Sequence, residues 1–96
     1  MANCFFATKV IFCHQFYKIA EAIGISYEEL REVWLADPRI SRDHSMVFRD
    51  KPGFEGKCLP KDISALINFA QTVSIDANLL KKVLEINQDI RKSLKK

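Results

Sequence analysis

The residues best placed to do chemistry lie in Gly53-Phe54-Glu55-Gly56-Lys57-Cys58-Leu59-Pro60-Lys61-Asp62. A cysteine stands between two lysines, two positions ahead of a proline. Proline suits the first turn of a helix, where its missing N–H is not needed. The run therefore reads as a loop passing into a helix that opens at Pro60, with Cys58 just before it. The partial positive charge of a helix N-terminus favours a thiolate, the nucleophilic form of cysteine, and Lys57 and Lys61 push the same way. Asp62, four residues on, falls in the first turn, near enough to the sulfur to accept a proton or anchor a water. The same residues also fit a plainer reading, a small apolar Cys58 packed beside ordinary surface lysines.

The rest of the chain must position that run. Its 96 residues, 48% of them hydrophobic, suffice for one small domain with a thin core over 1–96. The net charge of +3 is mild, and much of the excess sits in the terminal run Arg91-Lys92-Ser93-Leu94-Lys95-Lys96. Without a basic stripe or a recognition motif this reads as a solvated helix end, not a nucleic-acid surface. No apolar run reaches membrane-spanning length. The start, Phe5-Phe6-Ala7, is broken by Lys9 and does not read as a signal peptide. Cys4, Cys13 and Cys58 form no CxxC pair and have no metal-like spacing with His14 or His44, to which no role is assigned. Free thiols in a reducing cytoplasm, with no metal, are expected.

Phe6, Val10, Cys13, Phe16, Tyr17 and Ala20 recur at helical steps, so a long helix is predicted from the start to about Ile23, closed by Gly24. Ser26-Tyr27-Glu28-Glu29 has the form of a capping box, opening a short helix with Leu30, Val33 and Trp34 inward that stops before Pro38. Asp37 to Lys57 shows no sustained period, an irregular loop long enough to ask for a function. The helix opening at Pro60 has the stripe Ile63, Leu66, Ile67 and Ala70. A last helix, N-capped by Asp76, carries Leu79, Leu80, Val83, Ile86, Ile90 and Leu94. No stretch alternates at period two. The fold class is all-α: a small helical bundle with a long N-terminal helix and an irregular active-site loop.

The run GFEGKCLPKD closely resembles the GFGGSCFPKD signature of the UDP-glucose/GDP-mannose dehydrogenase family. Asn3-Cys4-Phe5-Phe6-Ala7-Thr8-Lys9-Val10 is similar to that family's NAFLATKV segment, Gly24-Ile25-Ser26 to its G-I-D turn, and Asp37-Pro38-Arg39-Ile40 to its D-P-R-I-G. Leu79-Leu80 through Asn87 resembles the segment that closes the family's central domain. These matches fall in order over nearly the whole chain. Glu55 and Lys57 stand where the family has small residues, Ser41 where it has glycine, and His14-Gln15 where many members have Asn-Glu. The family's active-site lysine, one helical turn before the asparagine, has no counterpart.

The resemblance implies the central dimerisation domain of a nucleotide-sugar dehydrogenase, with the NAD-binding and nucleotide-gripping outer domains absent from this chain. The reaction implied is the double oxidation of a sugar C6 alcohol, UDP-glucose to UDP-glucuronate foremost, with NAD as oxidant. It runs through a thiohemiacetal and a thioester on Cys58. The resemblance implies that Asn3 stabilises the oxyanion and that Asp62 orients or deprotonates water. By the same likeness, backbone amides around Phe54 and Gly56 hold the sugar, Lys61 lies near the cofactor, and Arg39 reaches the neighbouring subunit's sugar site. It also implies a homodimer through the first helix. NAD is not expected to bind this chain alone, because there is no GxGxxG after a strand, and the isolated chain is expected to be inactive. The rival reading is a non-catalytic helical interaction module that retains the fold.

Overall fold

A computed structural model describes residues 1–48, 52–54 and 58–93 of the chain, with Cys58 and Ser93 as backbone only. Among them run four helices, α1 (Ala2–Ile23), α2 (Tyr27–Leu35), α3 (Cys58–Thr72) and α4 (Asn78–Ser93), and no strand. The all-α class read from the sequence holds. Helix α1 is the axis, packing against each of the other three, while α3 and α4 also pack on one another.

Two apolar clusters line α1. At its N-terminal half Cys4, Ala7 and Ile11 close on Ile63 and Ile67 of α3, Val83 of α4, and the loop residue Phe54. At its C-terminal half Cys13 and Ala20 close on Tyr27, with Tyr17, Leu30, Trp34 and Val47 packed around them. Small residues at 4, 7, 13 and 20 let neighbouring backbones approach closely. Larger side chains at those positions would overpack both clusters.

The ends of α1 and α3 share one solution to the unpaired carbonyls of a last turn. Gly24 takes φ +80° and the Ile25 N–H returns to the Ala20 carbonyl at 3.0 Å. Ser74 takes φ +60° and the Ile75 N–H returns to the Ala70 carbonyl at 2.9 Å. The first end is legible as a glycine; the second is hidden because a serine bears the left-handed strain. At the start of α2 the Ser26 hydroxyl accepts from the Glu29 N–H and gives its own proton to Glu28, so the cap forms without the reciprocal Glu29 contact of a capping box.

Several sequence expectations are corrected. Val33 is 75% exposed, because the buried face of this nine-residue helix is set by Tyr27, Leu30 and Trp34, and position 33 lies off that line. Phe16, Leu66 and Leu79 are likewise exposed, while Ile63 and Ile67 carry the inward stripe of α3. Helix α3 opens at Cys58, not at Pro60, which still falls within the first turn, where N–H groups need no helical partner. Asp76 does not cap α4. Its carboxylate pairs with Lys81 at 2.6 Å, and the Lys81 N–H reaches back to the Ala77 carbonyl. Leu94 lies outside the described residues.

Replacing Ser74 with glycine should relieve the left-handed strain and raise stability by about 0.5–1 kcal/mol, the strain released less the entropy glycine adds to the unfolded chain. Urea unfolding followed by circular dichroism checks this, and Gly24→Ala should move the midpoint the opposite way.

Candidate active site

The irregular loop is tied down by side chains from three directions. Tyr27 donates its hydroxyl to the Ser45 carbonyl at 2.7 Å, Arg31 Nε donates to Ser45 Oγ at 2.8 Å, and Lys9 Nζ donates to the Ser41 carbonyl at 2.5 Å. Ser45 is fully buried. His44, with φ +62°, stacks its ring on Phe6 at 4.3 Å between centroids. Further on, the Phe54 N–H donates to Asn87 Oδ1 at 2.7 Å and Asn87 Nδ2 donates to the Phe54 carbonyl at 2.8 Å. Arg91 Nη1 donates to the Pro52 carbonyl at 3.3 Å. The loop thus runs from α2 to α4 and is anchored at both before it enters α3.

Where α3 begins, the predicted residues converge. Asn3 Nδ2, in the first turn of α1, donates to Asp62 Oδ2 at 2.6 Å, joining residues 59 apart in sequence. Cys58 is the first residue of α3 and Asp62 its fifth. An i, i+4 pair shares a helix face at a rise of about 6 Å, so the backbone places Cys58 one turn from the Asn3–Asp62 contact. Asn3 and Asp62 border an open depression of about 310 Å³ together with Met1, Cys4, Ala65, Leu66 and Phe69.

The other predicted residues are placed differently. Lys61 lies exposed in the first turn of α3. Phe54 is buried, and both of its backbone groups are taken by Asn87. It therefore contributes a fixed turn of backbone; its own amide is not turned toward a ligand. Gly56, with Glu55 and Lys57, lies outside the described residues. Arg39 borders a separate cavity with Phe5, Lys9, Phe12 and Trp34, its side chain 87% exposed and paired to Asp37 through Nη2 at 2.7 Å and Nε at 3.0 and 3.2 Å. That pairing holds the Asp37 carboxyl below its usual range.

The remaining thiols are set apart from this chemistry. Cys4 and Cys13 are free and buried. Burial pushes the Cys13 thiol up, against a hydrogen bond with Tyr27 and the charges of Lys9 and Arg31. Among the described residues no group of three or more His, Cys, Asp and Glu side chains is placed to hold a metal ion. Nor is any helix there long and apolar enough to cross a membrane.

Sequence reasoning missed Asn87 as a working residue. Its signal was present: a lone amide on the apolar face of the last helix, four residues after Val83 and three before Ile90.

A four-helix domain that brings an asparagine and an aspartate together one turn from a helix-opening cysteine has the parts of a covalent-catalysis site. The family model for the UDP-glucose/GDP-mannose dehydrogenase family, central domain, matches residues 1–89, and the chain belongs to that family. It is 37% identical over 87 residues to a UDP-glucose 6-dehydrogenase of Rickettsia typhi and 34% over 88 to one of Bacillus subtilis. It is 34% identical over 87 residues to a GDP-mannose 6-dehydrogenase of Pseudomonas syringae. These matches cover 91%, 92% and 88% of this chain, but only 19% of each of the three relatives. Family members are dehydrogenases, and the matched part is the central domain.

If Asn3 and Asp62 act as a pair, their effects on stability should not add. A double-mutant cycle with Asn3→Ala and Asp62→Ala, read by urea unfolding, should give a coupling of about 1–2 kcal/mol, the size expected of a part-buried hydrogen bond to a charged group. A coupling indistinguishable from zero would mean that the contact is incidental.

Proposed function

We propose that this chain is the central domain of an NAD-dependent nucleotide-sugar dehydrogenase, a UDP-glucose 6-dehydrogenase, with Cys58 as the nucleophile of the aldehyde-to-acid half of the reaction. The observation that carries the reading is the Asn3–Asp62 contact one helical turn from Cys58. Asn3 keeps a second amide proton with which to stabilise charge developing on a substrate oxygen. Asp62, already oriented by Asn3, orients or deprotonates the water that opens a thioester. The dinucleotide supplies hydride acceptance when bound. The described residues contain no strand followed by a glycine-rich turn of the kind that cradles its pyrophosphate. Lys61 is proposed to lie near the cofactor, Gly56 and the Phe54 turn to border the sugar, and Arg39 to reach a neighbouring subunit's site. The compartment proposed is the cytoplasm.

A homodimer through α1 belongs to the same reading. Phe5, Phe12, Phe16, Ile19 and Ile23 are all exposed on α1, at steps of seven, four, three and four residues. That spacing forms a continuous apolar seam of the kind that pairs helices. Phe12 and Ile23 join Phe5, Phe16 and Ile19 there, whereas Val10 and Tyr17 pack on the chain's own clusters and Phe6 stacks on His44. The seam extends past the small, scattered apolar contacts usual on a monomer's surface.

Two measurements test the reading. Iodoacetamide labelling resolved by peptide mass should modify Cys58 well ahead of the buried Cys4 and Cys13 at pH 7; faster labelling of either buried thiol in the folded chain would refute the assignment of the nucleophile. Sedimentation equilibrium should give twice the chain mass, and Phe16→Glu should halve it while helicity is retained. A monodisperse monomer at high micromolar concentration would exclude the dimer.

A further inference from the structure

We propose that Asn87 is a positioning residue of the thiol site, holding the backbone of Phe54 four residues ahead of Cys58 at the start of α3. The inference rests on the reading of Cys58 as nucleophile. Asn87 is 5% exposed on a helix face otherwise made of Val83, Ile86 and Ile90. A buried amide among apolar neighbours is costly unless both of its polar atoms are paired. Here both are paired with a single residue, Oδ1 with the Phe54 N–H and Nδ2 with the Phe54 carbonyl. Holding both groups of one residue fixes the peptide planes on either side of it.

The neighbouring backbone is shaped to the same contact. Gly53 has φ +81°, and a Cβ there would meet Asn87 Oδ1 at 2.4 Å. One turn further along α4, Arg91 holds the Pro52 carbonyl. Pro52, Gly53 and Phe54 are thus seated on α4 by two side chains. From Phe54 to Cys58 is four residues, at most about 14 Å of extended chain, so the anchor limits how the chain can enter α3. The Phe54 ring meanwhile lies in the cluster that contains Cys4, next to Asn3, and Ile63, next to Asp62. The anchor and the catalytic pair therefore share one packing unit. A leucine would fill the space at position 87 with less desolvation. What the amide adds is a fixed backbone.

The test follows the rate of Cys58 carbamidomethylation against pH in the full chain. The midpoint, which reports thiolate formation, is separated from the plateau, which reports exposure. The variants are Asn87→Ser, Asn87→Leu and Gly53→Ala, with Val83→Ala as a core truncation on the same helix. Hydrogen exchange at the Phe54 amide shows whether the clamp is broken. The wild-type midpoint is expected below the ordinary thiol value of about 8.5. Each clamp variant should raise it and slow labelling at pH 7 by about threefold to tenfold, the change that a half- to one-unit shift produces. Val83→Ala should leave it in place despite an equal or larger loss of stability. Should the Asn87 variants fail to fold, Gly53→Ala displaces the loop from the other side and decides the matter alone. An unmoved midpoint with Phe54 exchange accelerated overturns the positioning role while leaving the nucleophile reading intact. An equal shift in Val83→Ala overturns it as well. An ordinary midpoint in the wild type overturns the nucleophile reading, and this inference with it.

Discussion

Everything in this domain leans on α1. A chain of this size cannot build a core from several independent layers, so one helix of 22 residues forms a wall of both apolar clusters and meets each of the other three helices. That arrangement demands small side chains where neighbours cross, which Ala7, Cys13 and Ala20 supply. It also brings the first turn of α1 against the first turn of α3. The Asn3–Asp62 contact follows from that crossing, not from anything local to either residue.

The irregular loop raises a different problem. Its backbone N–H and C=O groups lack a ladder of their own, and buried groups of that kind must find partners. The partners come from helices already placed by the core: Tyr27 and Arg31 for Ser45, Lys9 for Ser41, Asn87 for Phe54 and Arg91 for Pro52. The loop is therefore an outcome of helix packing. Its ties also explain why buried polar groups are few and specific in the core, Ser45 and Asn87 being the two buried polar residues among the described residues. One atom departs from this economy. His14 Nδ1 is buried with no hydrogen-bond partner among the described residues, and burial, reinforced by Lys18 and opposed by Glu21, pushes the imidazole below its usual pKa. A neutral His14 costs least in such a place.

The residues proposed for the substrate side and those proposed for subunit contact lie at different parts of α1. Asn3, Asp62 and Cys58 gather at the α1–α3 crossing, while Arg39 lies at a second cavity with Phe5, Phe12 and Trp34, on the side of α1 that carries its exposed aromatic seam. There the Arg39 side chain is held out to solvent, paired to Asp37.

Helix periodicity in the sequence determined four helices and no strand, because a 3.6-residue pattern with glycine, serine and proline punctuation depends on local backbone physics alone. The family's short segments pointed to Cys58, Asp62 and Asn3 as candidates for the same reason: each lies in a contiguous run that resembles a family segment. What the sequence by itself left open were facts of contact between distant segments. Which face of the nine-residue α2 turns inward, and so why Val33 is exposed, was settled by where α1 lies. The strained Ser74 could not be told from an ordinary turn serine, since nothing in its residue type signals the left-handed turn that closes α3. Asn87 carried a legible anomaly, an amide in an apolar stripe, but no partner. Only the tertiary structure, by bringing residues 33 positions apart to 2.7 and 2.8 Å, made it the anchor of the loop. A hydrogen bond of that kind depends on two backbones being placed to within an ångström, and packing, not pattern, sets that.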